Sequence, residues 1–306
     1  MPLVGFYCQD DAGNRAEVPL DHFDTCTHGK GGRPAHSPWM CKAIAKKEAA
    51  DLRHSTFQAT ATGVLGCPRS TFIKTHFPFH ADPRRLMLLT RGTLLHAAAA
   101  DLWDPATYTT EATDPVRHTL HGKLGGYDIS MLVDVMRRDL TEVADLKFPN
   151  DFSVRHRAKG PKDDYILQLN EARLLLAQQP WAIEAGYNPK TVKLTLWDHA
   201  CTSTDPPVAV PIPHITEDSL LSAHPGGGGV TVSDNFEVIE WAMEQLAAAG
   251  PAPSKQDIER IAASLPLAGE QQFNCKKCLE YCEVEPLCSQ LVRKFGRPST
   301  GGPSAS

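Results

Sequence analysis

The run Leu140-Thr-Glu-Val-Ala-Asp-Leu-Lys-Phe-Pro149 constrains this chain more than any other stretch, because it is apolar and strand-like yet carries Asp145 and Lys147 two residues apart. On a strand, side chains at i and i+2 share a face. A carboxylate and an ammonium held side by side, with a second carboxylate from a neighbouring strand, can hold a hard divalent cation and set a water against a phosphodiester.

The surrounding pattern supplies that neighbour. Residues 117–124, 127–136 and 140–148 read as three strands, with Gly125-Gly126 as a two-residue hairpin turn and Arg137-Arg138-Asp139 as the second turn. A second turn centred near Arg138 and Asp139 puts Asp134 and Asp145 on one face as close to diagonal neighbours. Asp128 shares that parity and is the alternative partner. Residues 86–100, which include His96, read as a helix, and so do residues 164–178, whose leucine stripe is expected on the sheet with Gln168 near its N-terminal end. Residues 191–197 alternate as a half-buried strand. Upstream, residues 38–52 have helical composition, and a further helix after Ser55-Thr56 is expected to carry Gly66-Cys-Pro-Arg69. Residues 201–230 read as a Pro- and Gly-rich loop or flap, followed by helices over 236–249 and 255–264. The tail, 297–306, has the composition of disorder.

The chain of 306 residues has a formal net charge of -5, which argues against coating nucleic acid by bulk charge and leaves room for a local basic groove. Arg84-Arg85, Arg137-Arg138 and the run from Arg155 to Lys162 are the basic groups available. No run approaches the roughly 18 apolar residues of a membrane helix, and the first residues lack a signal-peptide pattern, so a soluble, cytoplasmic protein is expected. In that setting nine cysteines point to metal or cluster ligation rather than a disulfide framework. Residues 1–50 read as an irregular arm. Four of Cys8, Cys26, His28, His36 and Cys41 would suffice for a small zinc site, although the arm has no CxxC, and the other reading is a loop-rich segment with unpaired thiols. Near the other end stand Cys275, Cys278, Cys282 and Cys288. They suit either a self-contained zinc knuckle or an iron-sulfur cluster using three of them plus the distant Cys67.

Taken in order, Cys67-Pro-Arg69, Gly92-Thr-Leu-Leu-His96, an aspartate on the second strand, Asp145-Leu-Lys147, Gln168-Leu169 and Cys275-x-x-Cys278 ending at Cys288 resemble the RecB-like PD-(D/E)XK nucleases that carry an iron-sulfur cluster. That family includes CRISPR-associated and phage-encoded exonucleases and the AddB nuclease domain. The resemblance covers residues 55–290. It implies an α/β, restriction-endonuclease-like core over 51–200, with a mixed central sheet flanked by helices. In residues 201–296 it implies a C-terminal part tied to the N-terminal part by a cysteine-ligated cluster.

The resemblance also implies roles. His96, Asp134 (or Asp128), Asp145 and the backbone carbonyl of Leu146 would ligate manganese or magnesium. Lys147 would orient or activate the attacking water, and Gln168 would help to position that lysine and the DNA backbone. Cys67, Cys275, Cys278 and Cys288, with Cys282 as the alternative, would hold a [4Fe-4S] cluster. The activity implied is metal-dependent hydrolysis of DNA, exonucleolytic on single strands or frayed ends, in repair, recombination, phage or CRISPR-related processing. Homo-oligomers or recombination and adaptation proteins would be its partners. The alternative from another class is a non-catalytic, zinc-holding nucleic-acid-binding or assembly protein in which Asp145 and Lys147 form an ordinary strand ion pair.

Overall fold

The computed structural model describes residues 3–9, 14–28, 35–50, 57–100, 103–148, 161–198, 208–225, 230–266, 282 and 284–295. The chain is mixed α/β and divides into two compact units, each with sheets flanked by helices. The first unit comprises residues 1–58, 67–91 and 240–306, and the second comprises 59–66 and 92–239.

In the first unit the segment expected to be an irregular arm is built on strands. β1 (Leu3–Gln9) lies at the centre of a three-stranded sheet, antiparallel to β2 (Arg15–Pro19) and parallel to β3 (Phe79–Ala81). Leu3, Phe6 and Cys8 are buried along β1 while Val4 stands exposed. The period of two slips between Leu3 and Gly5, where the pairing with β3 shifts register, and this irregularity hides the strand from a reading of the sequence. Gly5 is required there, since a Cβ would lie 2.3 Å from the Val18 carbonyl oxygen and 2.4 Å from the His80 ring. The helix Pro38–Ala50 follows.

Gly66 and Cys67 do not lie within a helix, as expected, but in the break between the short helix Ala61–Val64 and the helix Pro68–His76. Pro68 explains the restart. It lacks the N–H that a first helical turn leaves unpaired, and the Cys67 sulfur caps that turn by accepting from the Ser70 amide at 3.4 Å. Arg69 is fully buried, and its Nη1 donates to the carbonyls of Ala263 (3.2 Å) and Leu265 (2.9 Å). A cation thus closes the C-terminal end of the helix Lys255–Ser264, where the backbone leaves carbonyls and partial negative charge.

In the second unit a mixed five-stranded sheet runs in the order β10 (Val208–Pro211), β9 (Lys193–Asp198), β8 (Glu142–Lys147), β7 (Val135–Arg137), β4 (Tyr108–Thr110). β8 and β9 are parallel and the other pairs antiparallel. β5 (Thr119–Leu124) and β6 (Tyr127–Leu132) form a separate hairpin, closed by Gly125 and Gly126 at φ 58° and 90° as a two-glycine turn demands. The expected continuous strand over 127–136 is therefore two strands in two sheets, broken at Val133 and Asp134. Nothing in the local run of apolar residues marks that break. β8 is buried along almost its whole length. Ala144 and Leu146 pack with Val135 against Ala99, Trp103, Tyr108 and Trp197, while the helix Asp163–Leu176 also packs on β8 and β9.

The segment read as a flap contains β10 and the helix Glu217–Leu221. Arg173 donates to the carbonyls of Pro189 and Ile215, and Asn170 joins Pro213 and Ile215, so these residues are fastened to the helix Asp163–Leu176. The expected tail, 297–306, lies outside the described residues.

Glu171 on that helix is wholly buried, and neither of its oxygens has a hydrogen-bond partner among the described residues. Desolvation drives its carboxyl well above the ordinary value. The folded state therefore holds a proton that the unfolded chain releases above about 4.3, and stability falls as pH rises through the range beyond it. Glu171→Gln removes that ionisation at similar volume. In urea melts it is expected to stabilise the protein by roughly 1–3 kcal/mol near pH 8, and to have little effect near pH 4.

Candidate metal centre

The bend between β6 and β7 is what aims Asp134. Val133 is held on both its backbone groups by one residue: its N–H donates to the His118 carbonyl at 2.9 Å, and its carbonyl accepts from His118 Nδ1 at 2.5 Å. His118 is fully buried, with Nε2 3.0 Å from Thr109 Oγ1, and burial holds its imidazole below the usual pKa, so it is neutral. This histidine sits fifteen residues from the bend in sequence, and no local pattern announces it.

The register Val135↔Ala144, continued by one residue, sets Asp134 opposite Asp145 rather than diagonal to it, one residue from the turn position that the sequence suggested. With β7 starting at Val135, the Leu146 amide has no strand partner on that side. Asp134 Oδ2 takes it, accepting at 3.0 Å. The same oxygen lies 3.4 Å from His96 Nδ1, on the second half of the helix Pro83–Ala100, and the His96 ring packs edge-on to Phe148.

Asp145 is 5% exposed, and this number decides its chemistry. Burial pushes its carboxyl up to about 7, with the neighbouring Asp134 adding to the rise and Lys147 opposing it. Lys147 Nζ donates to Oδ1 at 2.9 Å and lies 2.8 Å from Oδ2. The ammonium thus spans both carboxylate oxygens, and Oδ2, buried, is held by this ion pair rather than by a directed hydrogen bond among the described residues. Gln168 Nε2 reaches Oδ1 at 3.4 Å, and the Tyr165 ring lies 5.5 Å from Lys147 Nζ. Burial disfavours the Lys147 ammonium, but Asp145 and Asp134 outweigh it and hold the group above the usual lysine range, hence protonated. Burial, then Lys147, keeps His96 below its ordinary value, while Asp145 and the facing Leu146 carbonyl pull the other way. A neutral imidazole, two carboxylates and a carbonyl are hard and borderline donors of the kind that divalent manganese or magnesium takes.

His96, Asp134, Asp145, the Leu146 carbonyl, Lys147 and Gln168 thus come together in one unit. Asp128 does not. It stands beside the turn of the β5–β6 hairpin, with its side chain 86% exposed and paired with Lys123 at 2.9 Å. Of the basic groups, Arg137 is bound through two nitrogens to Asp139, and Arg138 donates to the Pro105 carbonyl at 2.6 Å, so both brace the turn. Residues 155–160 of the third group lie outside the described residues.

In the first unit Cys67 and Cys282 lie near enough to Cys288 to act on its thiol. The Cys288 thiol is pushed up to about 11, first by burial, with Cys67 and Cys282 adding and Arg69 drawing it back. Cys282, expected only as an alternative, lies 3.6 Å from Ser70 Oγ. Cys275 and Cys278 are outside the described residues. From the N-terminal group, Cys8, Cys26 and His28 converge. Cys41 is buried elsewhere, its thiol raised to about 11 by desolvation, and His36 packs edge-on to Phe23.

No family model matches the chain, and no curated protein matches it. Among solved structures it is similar to one described as "Crystal structure of SSO0001", at 13% identity and a TM-score of 0.39, over 71% of this chain and 96% of that one.

If the Asp134 carboxylate terminates the β7–β8 ladder as described, Asp134→Ala should speed hydrogen exchange at the Leu146 amide by orders of magnitude. Exchange across the β8–β9 pairing should stay slow. His118→Ala is expected to give the same local exposure and to lower stability by about 1–3 kcal/mol, since it leaves the Val133 carbonyl unpaired.

Proposed function

We propose that this protein is a metal-dependent nuclease that hydrolyses phosphodiester bonds in DNA. The observation that carries the reading is the convergence of His96, Asp134, Asp145 and the Leu146 carbonyl beside Lys147. One imidazole, two carboxylates and a carbonyl are a donor set that fits a divalent cation of this kind. Manganese or magnesium held by these four donors would supply the positive charge that stabilises a phosphoryl oxygen and a leaving alkoxide.

The remaining chemistry belongs to the chain. Lys147, kept protonated by two aspartates, offsets charge on the phosphorane and orients the attacking water; as an ammonium it has no lone pair with which to remove a proton. Gln168 fixes the Asp145 rotamer from the helix Asp163–Leu176, and Tyr165 limits the reach of Lys147. The core is then of the PD-(D/E)XK kind, with Asp134, Asp145 and Lys147 in the named positions. Cys67 and Cys288, with Cys275 and Cys278 of the C-terminal sequence or Cys282 as the alternative, would hold a [4Fe-4S] cluster. The substrate is single-stranded DNA or frayed ends, degraded from a terminus in a cytoplasmic DNA-processing pathway.

The test is digestion of end-labelled single-stranded oligonucleotides with manganese and magnesium compared. Asp134→Ala, Asp145→Ala and Lys147→Ala should each lower the rate by at least about 10²–10³-fold, with circular dichroism unchanged. Asp128→Ala should cleave at the parental rate. Undiminished cleavage by the Asp145 or Lys147 variant would overturn the assignment. Strand binding without cleavage in either metal would favour the non-catalytic alternative.

A further inference from the structure

We propose that the N-terminal sheet carries a closed structural zinc site formed by Cys8, His22, Cys26 and His28. It lies in the unit that does not contain Asp145 and stands independently of the nuclease reading.

Cys8 is the last buried position of β1, opposite Ala16 of β2. After β2 the chain makes a single 3-10 turn, His22–Asp24, and Phe23 within it is buried against Phe6 of β1 at 5.9 Å between ring centroids. That anchor holds the turn against the sheet and brings the residues flanking Phe23 to the end of β1. The ligand atoms of Cys8, His22, Cys26 and His28 all lie within 4.8 Å of one another. Cys8 Sγ is 3.7 Å from Cys26 Sγ and 3.3 Å from His28 Nδ1. Four donors at tetrahedral zinc bond lengths of about 2.0–2.3 Å are separated by roughly 3.3–3.8 Å, so these two spacings match the edges of such a tetrahedron. They do not match a disulfide, whose sulfurs would be at about 2.05 Å.

Two further observations point to a ligand rather than to chance packing. His22 Nε2 is buried with no hydrogen-bond partner among the described residues, which costs free energy unless something else coordinates it. The backbone N–H groups of Ala35 and His28 are directed at Cys26 Sγ, as donors are around metal-bound sulfur. Two thiolates and two imidazoles are the donor set of tetrahedral zinc, and with all four positions filled by protein the ion has no site for water or substrate. Its role is to pin the turn after β2 to the end of β1. His22 replaces His36 and Cys41 in the set suggested by the sequence.

The full-length protein, expressed with zinc in the medium, is assayed for metals by mass spectrometry. Cys8→Ser, Cys26→Ser and His22→Asn should each contain one zinc fewer than the parent, whereas His36→Asn and Cys41→Ser should retain it. Should a ligand variant fail to fold, alkylation of the parent decides. Cys8 and Cys26 should become reactive on addition of a chelator, in step with release of one zinc, and Cys41 should not. Unchanged zinc in the His22 and Cys26 variants overturns the site. So does another metal in place of zinc, or a Cys8–Cys26 disulfide in metal-free protein.

Discussion

The hydrogen bond from the Leu146 amide to the Asp134 carboxylate is the contact on which the second unit's site depends. It satisfies a backbone donor that the short β7 cannot reach, and in doing so it fixes a carboxylate beside Asp145. Two acidic groups brought that close in a dry setting repel each other, and the structure answers with Lys147, which bonds Asp145 and feels both charges. Remove the amide bond and Asp134 has no reason to point inward. Removing Lys147 leaves two carboxylates with no counter-charge.

Charge balance explains why the site is held by so many weak restraints from separate elements. Asp134 comes from a bend, Asp145 and Lys147 from β8, Gln168 and Tyr165 from one helix and His96 from another. Each group is aimed by something unrelated to chemistry: His118 freezes the bend, Ala99 and Phe148 seat the turn of helix bearing His96, and Asn170 and Arg173 fasten the later chain to the helix bearing Gln168. Burial leaves His96 neutral, and the two aspartates keep Lys147 charged against the cost of its burial.

The first unit gathers two thiols and two imidazoles, where the second gathers carboxylates, a carbonyl and one imidazole. Its strands are short, its sheet has three of them, and much of its helical packing converges on Arg69, a buried cation that closes one helix end and sits near Cys288.

Local periodicity made several elements legible. Gly125-Gly126 announced the β5–β6 hairpin, the helix around Gln168 followed from its leucine spacing, and Asp145 and Lys147 share a face because side chains on a strand alternate. His96 and Gln168 could be named from their order along the chain. The break at Asp134, the strand character of Leu3–Gln9, the ordered segment Val208–Pro211 and the role of His22 could not. Each is settled by a partner distant in sequence: His118 for the bend, Val18 and His80 for the close approach at Gly5, β9 for β10, Phe6 for the turn that carries His22. Residue type and spacing alone determined which groups can share a face of one strand or helix. Which faces meet, which of Asp134 and Asp128 is buried, and which charges survive there were decided by tertiary packing, since desolvation and pairing across elements exist only once the chain has closed on itself.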